Sequence, residues 1–523
     1  MPHEDVESQQ YSSRKAILAI VAGLAHALAF APLGWYAAGI LSMAGLFGLW
    51  RNVTPLHAAR LGLLYGLAFS ASTTYWLPIG LLSVMPESKA VGVGTFLFAW
   101  FYCAAPWAVA GWAQARLGCL VASWRLLVVV PTVLTLGTWV NTWLFGGLPW
   151  MAPAYGQVEG VLASAFPVGG FLLVSLLAIL TSSLLVHCWL FRWKSWGSAA
   201  GLFAIFATCA ALLQVNWTVT TGQQLKVGII QSNAPAQLNG DEAQVANYAL
   251  HLRATRKLMQ RHQPDVVVWS EGALTGSRSE LSEFMQRHLK NELEGAAFLV
   301  GLIDTKIAAS ELKNLPANSS TVPRFNTVAA LGFQTAGSYQ KRHLMPVGEY
   351  LPEAGPMGWV RRQMGPQRVW TTPGPHKQSS LVVRGELVAA SICYEDVFSK
   401  VFAGHDPAVA WLLNLTSDAW FATSTQPWQH LALSRARAME YGRYLVRAAN
   451  IGPSAIIDAR GRVMAVSAAD QPAMLLGEIV LMQGLTPYAR WGDGLVLCLI
   501  FALLVAVMVR LKVHNKVNVV VIT

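Results

Sequence analysis

The first 225 residues alternate between long uncharged stretches and short charged loops. No Asp, Glu, Lys or Arg occurs between Lys15 and Arg51, between Arg60 and Glu87, or between Lys89 and Arg116. Pro32, Leu33 and Gly34 split the first of these into apolar runs at about 16–32 and 36–50. Further runs begin at Leu126 and cover 160–191, 195–225 and about 493–509. A helix needs about 20 apolar residues to cross about 30 Å of hydrocarbon. The pattern predicts eight spans, seven before residue 225 and one after 490.

Between 226 and 488 the pattern changes to short apolar runs bounded by polar segments. Strands are predicted at 226–231, 265–271, 297–303, 325–331, 381–393 and 410–415, with helices at 241–262 and 428–443. Such alternation argues for an α/β domain with a largely buried sheet. The organisation expected is a multi-span α-helical membrane domain over 1–225, an α/β domain over 226–488, and an eighth span with a tail over 489–523.

Composition agrees. Charged residues make up 12% and hydrophobic residues 54%, where a soluble domain carries about 25% charged residues. The net charge is +11, and its distribution reads as orientation. Arg14, Lys15, Arg51, Arg60, Arg116, Arg125, Arg192, Lys194, Arg510, Lys512 and Lys516 all fall in alternate loops, and only Lys89 falls in the others. By the positive-inside rule the basic side is cytoplasmic, so 226–488 faces the opposite compartment. Basic residues interleaved with aromatics, the footprint of a nucleic-acid binder, are missing. The first fifteen residues carry Glu4, Asp5 and Glu7 and show no cleavage site, so the first span reads as an uncleaved anchor.

Three reactive residues stand at or near predicted strand ends in the insert: Glu271, Lys341 and Cys393. Catalytic groups gather at the carboxyl ends of strands in α/β folds. There are six cysteines and no CxxC pair, which argues against a zinc site or a disulfide scaffold. Cys103, Cys119, Cys188, Cys209 and Cys498 lie in or beside spans, and Cys393 is the only cysteine of the insert. From position alone, Cys393 reads either as a buried small hydrophobe or as a nucleophile.

Three motifs carry a resemblance. Trp269-Ser270-Glu271, the run from Tyr339 through Lys341 and Glu349 to Pro352, and Ser391-Ile392-Cys393-Tyr394-Glu395 resemble the Glu–Lys–Cys signature of the nitrilase superfamily. A nitrilase-like domain set between membrane spans is similar to the apolipoprotein N-acyltransferase family of bacteria. Gly147-Leu148-Pro149-Trp150, Gln231-Ser232-Asn233, Phe325-Asn326-Thr327, Asn414, Asp418 to Phe421, and Pro427 to His430 fall where that family has similar motifs. The resemblance implies an αββα sandwich for 226–488, facing the periplasm from the inner membrane. It implies a phospholipid acyl donor, an apolipoprotein acceptor and no cofactor or metal. Cys393 would be the nucleophile, Glu271 the general base, and Lys341 the cation on the oxyanion, with a backbone N–H near Cys393 or Tyr394. Glu349 would be a second carboxylate holding Lys341, and Tyr394 and Glu395 supporting residues. His343 and His430 read as structural. An amidase, or an acyltransferase with another acceptor, is the alternative.

Met345, Leu351, Met357, Trp359, Val360 and Met364, with Trp420 and Phe421, read as an apolar cover for an acyl chain or as part of the domain's own core. Arg361, Arg362 and Arg368 read as phosphate contacts or as solvated surface. Asn239-Gly240, Ser270, Gly272, Ala422 and the run Asn450-Ile451-Gly452-Pro453 depart from the family pattern and bear on the acceptor.

Overall fold

The computed structural model describes residues 2–84, 89–192, 195–234, 241–305, 322–351, 358, 361–362, 370–421 and 423–520. Glu87, Lys194, Asn239, Gly240, Pro352, Met357, Trp359, Val360, Met364, Arg368 and Ala422, named above, lie outside the described residues. The chain divides into two compact units, one of Met1–Tyr75, Gly94–Val215 and Arg490–Thr523, the other of Trp76–Val93 and Asn216–Ala489.

The first unit is helical. Among the described residues, Lys89–Arg116, Ala122–Val140, Val161–Phe191 and Gly494–His514 are long and apolar enough to cross a membrane. Tyr36–Leu49 and Trp196–Leu212 are shorter apolar helices. The uncharged run after Arg60 holds two helices. Its first helix, Pro55–Thr73, stops at Thr74, whose hydroxyl bonds back to the Ser70 carbonyl at 2.7 Å and whose backbone leaves helical geometry. A second helix, Trp76–Val84, follows and groups with the other unit.

The second unit is a two-sheet sandwich. Its strands in chain order are β1 (Val219–Gln231), β2 (Val266–Gly276), β3 (Ala297–Asp304), β4 (Phe325–Gly332), β5 (Thr335–Ala336), β6 (Ser338–Gln340), β7 (Leu381–Val383), β8 (Glu386–Ile392), β9 (Trp411–Thr416), β10 (Leu445–Ala449), β11 (Ala455–Ile457), β12 (Val463–Val466) and β13 (Ala473–Gln483). One sheet runs β13-β1-β2-β3-β4-β6 and the other β12-β11-β10-β9-β8-β7-β5. The β1–β2–β3 and β8–β9–β10 neighbours are parallel.

Alternation along each strand builds the layers. Val227, Ile229, Val266, Val268 and Leu299 face Val388, Ala390, Leu413, Leu415 and Val446 in the core between the sheets. The alternate residues Ile230, Val267, Trp269, Phe298 and Val300 pack outward on Leu258 of the Asp241–His262 helix and on Leu281, Met285, Leu289 and Leu293 of Arg278–Gly295. On the other sheet Ala389, Leu412 and Leu445 pack on Leu431, Ala438 and Tyr441 of Gln426–Tyr441. This is the expected αββα sandwich. Each such large apolar side chain contributes about 1.5–3 kcal/mol by leaving water.

Three local readings are corrected. β1 begins seven residues before 226, because the polar stretch Thr220 to Gln224 shows no apolar alternation and carries a register shift. The apolar run 381–393 is a hairpin, β7 and β8, turned at Arg384 and Gly385, both with positive φ. The Arg278–Gly295 helix was not foreseen, although Ser277 and Glu280 form a capping box in which each side chain bonds the other's backbone N–H.

Candidate active site

Glu271 sits on a bulge. β2 pairs with β3 at Trp269↔Val300 and again at Leu274↔Leu302, so residues 270–273 stand opposite Gly301 alone. A Cβ on Gly301 would run into the Ser270 carbonyl oxygen, so the bulge needs a neighbour without a side chain. The carboxylate is thereby aimed out of the ladder, and Asn326 of β4 donates to its Oε1 from 2.6 Å.

Lys341 directly follows β6, and its backbone N–H bonds the Asn326 carbonyl at 2.8 Å. Its side chain is 1% exposed, and Nζ lies 2.8 Å from both carboxylate oxygens of Glu349 and 3.9 Å from Glu271 Oε1. Glu349 Oε2 also accepts the Met345 N–H at 2.8 Å. Burial pulls the Lys341 ammonium down, but Glu349, Cys393 and Glu271 together hold it above the ordinary lysine range. For Glu271 burial dominates: with the Glu349 charge it outweighs Lys341 and the hydrogen bonds from Asn326 and Cys393, and the carboxyl is pushed up to about 7.

Cys393 stands where β8 ends and a tight turn, Cys393–Val397, begins. Its φ is 52°, a left-handed backbone that non-glycine residues rarely adopt. Burial first, then Glu271, push its thiol above the ordinary cysteine value, against the pull of Lys341. Glu395 braces the turn. This buried carboxylate accepts from Tyr339 Oη at 2.9 and 3.0 Å, from the Arg342 and His343 N–H groups at 2.8 and 3.0 Å, and from the Ile392 N–H at 2.8 Å. It thus ties the segment after Lys341 to the residue before Cys393. Tyr394 is 7% exposed and packs edge-on against Phe398 at 5.3 Å. His343 packs tilted against the same ring at 3.8 Å. The arrangement joins a thiol, a carboxylate poised near neutrality and a fixed cation, the parts of nucleophilic acyl chemistry.

The carbon-nitrogen hydrolase family model matches residues 226–484, and the apolipoprotein N-acyltransferase N-terminal domain model matches 22–184. An apolipoprotein N-acyltransferase of Methylococcus capsulatus is 32% identical, covering 91% of this chain and 92% of its own. One of Nitrosomonas europaea is also 32% identical, over 94% and 96%. The chain belongs to the apolipoprotein N-acyltransferase family. A solved amidase of the nitrilase superfamily from Nesterenkonia, 15% identical, covers 51% of this chain and 93% of its own with a TM-score of 0.34.

Every member of the Glu–Lys–Cys group lies in the hydrolase-matched part of this N-acyltransferase family chain, whereas the Trp76–Val84 helix lies in the part matched by the family's N-terminal domain. That helix packs on the turn Ala419–Phe421: the Trp76 and Phe421 rings are 4.9 Å apart, and Trp76 Nε1 donates to Gln429 Oε1 at 3.2 Å. Gly80 lies against the Phe421 ring, which a Cβ there would strike. Trp420 packs over Gly348, next to Glu349. Leu351 and Phe421 are buried, and Arg361 bonds the Leu351 carbonyl at 2.9 Å and lies over the Trp370 ring at 5.2 Å.

His430 is neither a helix cap nor mere packing. Its Nε2 lies 3.2 Å from the Cys393 carbonyl oxygen and its Nδ1 2.8 Å from Asp418 Oδ1. Asp418 Oδ2 accepts from Arg447 Nη2 at 2.7 Å. Burial would raise the Asp418 carboxyl, but His430 and Arg447 hold it below the usual range. Sequence reasoning noted Asp418 only as part of a motif, read His430 as structural and did not single out Arg447. The signal available was Arg447, a single charge inside the apolar run Leu445–Ala449.

Proposed function

We propose that this chain moves a fatty acyl group from a phospholipid to the N-terminal amine of the S-diacylglyceryl-cysteine of an apolipoprotein, through a thioester on Cys393. The observation that carries the reading is the strand-end thiol of Cys393 hydrogen-bonded to Glu271, whose carboxylate lies 3.9 Å from the buried ammonium of Lys341. Glu271 takes the thiol proton as sulfur attacks the donor ester carbonyl. Lys341 and the Tyr394 N–H stabilise the oxyanion. Collapse breaks the ester C–O bond, and Glu271 returns the proton to the departing lysolipid alcohol. The acceptor amine then attacks the thioester, Glu271 takes its proton, and the thiol is regenerated. Glu349 holds Lys341, while Glu395 and Tyr394 keep the nucleophile turn in shape.

The same reading gives residues 1–225 seven membrane helices and 489–523 an eighth, in the inner membrane, with 226–488 in the periplasm and both termini in the cytoplasm. Incubation with acyl-labelled phospholipid alone is expected to leave a hydroxylamine-sensitive label on the wild type and none on Cys393→Ala. Added apolipoprotein is expected to take that label as an amide. Label that persists on Cys393→Ala overturns the assignment of the nucleophile. Reporter fusions within 226–488 and at the C-terminus are expected to report opposite compartments.

A further inference from the structure

The peptide joining Cys393 to Tyr394 has two polar ends, and a planar trans peptide points them in opposite directions. The carbonyl end faces His430 Nε2 at 3.2 Å. A carbonyl and a carboxylate both only accept, so Nε2 carries a hydrogen toward Cys393 and Nδ1 carries one toward Asp418. Behind His430 stands Asp418, and behind Asp418 stands Arg447; they are 1%, 2% and 0% exposed respectively. Arg447 Nη1 also donates to Asn414 Oδ1 at 3.0 Å, and Asn414 Nδ2 donates to Ser391 Oγ at 3.0 Å. The network therefore closes on β8, two residues before the nucleophile. Fully buried ion pairs are expensive to desolvate, and apolar residues of similar size would fill the space at lower cost. This group stands instead against the left-handed turn of Cys393.

We propose that His430 is a positioning residue for acyl transfer: its Nε2–H holds the Cys393 carbonyl so that the Tyr394 N–H of the same peptide is aimed at the developing oxyanion. The hydrogen bond on the carbonyl also polarises the peptide, which makes its N–H a stronger donor. Asp418 fixes the ring through Nδ1, and Arg447 fixes Asp418. His430 forms no bond to the substrate and gives up no proton during the cycle. The inference rests on the thioester chemistry proposed above.

The test compares two reactions of the same thiol in the full-length enzyme. Acylation by labelled phospholipid passes through an oxyanion; alkylation by iodoacetamide does not. His430→Ala is expected to slow single-turnover acylation by up to about 10²-fold, the lower figure for losing one oxyanion donor. Its alkylation rate and its KM for phospholipid are expected to stay at the wild-type values. His430→Gln, which can present an amide N–H to the same carbonyl, is expected to recover part of the acylation rate. Alkylation that falls in step with acylation overturns the inference, since the loss is then one of packing. Acylation of His430→Ala at the wild-type rate overturns it as well. A wild type that forms no thioester overturns the acyl-transfer reading itself, a result distinct from both.

Discussion

Lys341 Nζ lies 2.8 Å from each carboxylate oxygen of Glu349. Glu271 is 3.9 Å from the same ammonium. Two carboxylates thus share one buried cation unequally. Glu349 takes the close contact, and Glu271 keeps the freedom to gain and lose a proton near pH 7. A symmetric arrangement would have drawn Glu271 down and made it a poorer base.

Glu271→Gln keeps the Asn326 contact within reach but removes the proposed base. Single-turnover acylation of Cys393 is expected to fall by about 10²–10⁴, the usual worth of a general base. A variant that acylates normally and stalls only on transfer to the amine would assign thiol activation elsewhere.

The pH dependence follows from the same carboxyl. Glu271 accepts a proton only when ionised, which requires a pH above its raised value of about 7. Acylation is therefore expected to rise through neutral pH and level off above it. The thiol is held protonated by burial and by Glu271, so no preformed thiolate flattens the acid side. In Glu271→Gln that rise is expected to vanish. Rates measured from pH 5 to 9 on both proteins check this.

Glu349→Gln removes a negative charge that raises the Glu271 carboxyl. The midpoint of the pH profile is expected to move to lower pH, while the plateau drops because Lys341 loses its anchor. Lys341→Met, which deletes the charge on the oxyanion, is expected to cost about 10²–10³ in acylation. The double variant should lose less than the product of the two single losses, because both act on one unit.

Gly80→Ala puts a methyl group into the Phe421 ring. Overpacking of this kind costs about 1–3 kcal/mol, and the melting temperature of the detergent-solubilised enzyme is expected to fall. Phe421→Ala in the same chain opens the space and should reverse part of the loss. If the two changes simply add, the helix Trp76–Val84 does not depend on that contact.

Much of the sandwich was legible because strand alternation repeats the layer order directly: Val227, Ile229, Val266 and Val268 inward, Val267 and Trp269 outward. Cys393 was legible because it ends an apolar run as the insert's only cysteine. The β7–β8 hairpin was hidden, since Arg384 and Gly385 interrupt a run that otherwise reads as one strand. The His430–Asp418–Arg447 group was hidden for a different reason. Its members come from a helix, a loop and a strand, and only the parallel pairing of β9 with β8 and β10 brings them under Cys393. The second half of the run after Arg60 forms a short helix of its own, in which Trp76, Leu77 and Leu81 are buried and Trp76 packs on Phe421 in the α/β unit.

The bulge over Gly301 has a consequence for genetics. A screen for inactive alleles would score substitutions at Gly301 alongside those at Glu271, although Gly301 has no side chain to offer. An added methyl group there would press on the Ser270 carbonyl and displace the strand segment that carries Glu271. Such alleles would lose stability together with activity, because the clash is with backbone that cannot swing aside. Their signature would be suppression by second-site changes that lengthen or loosen residues 270–273, something no substitution of Glu271 itself could show.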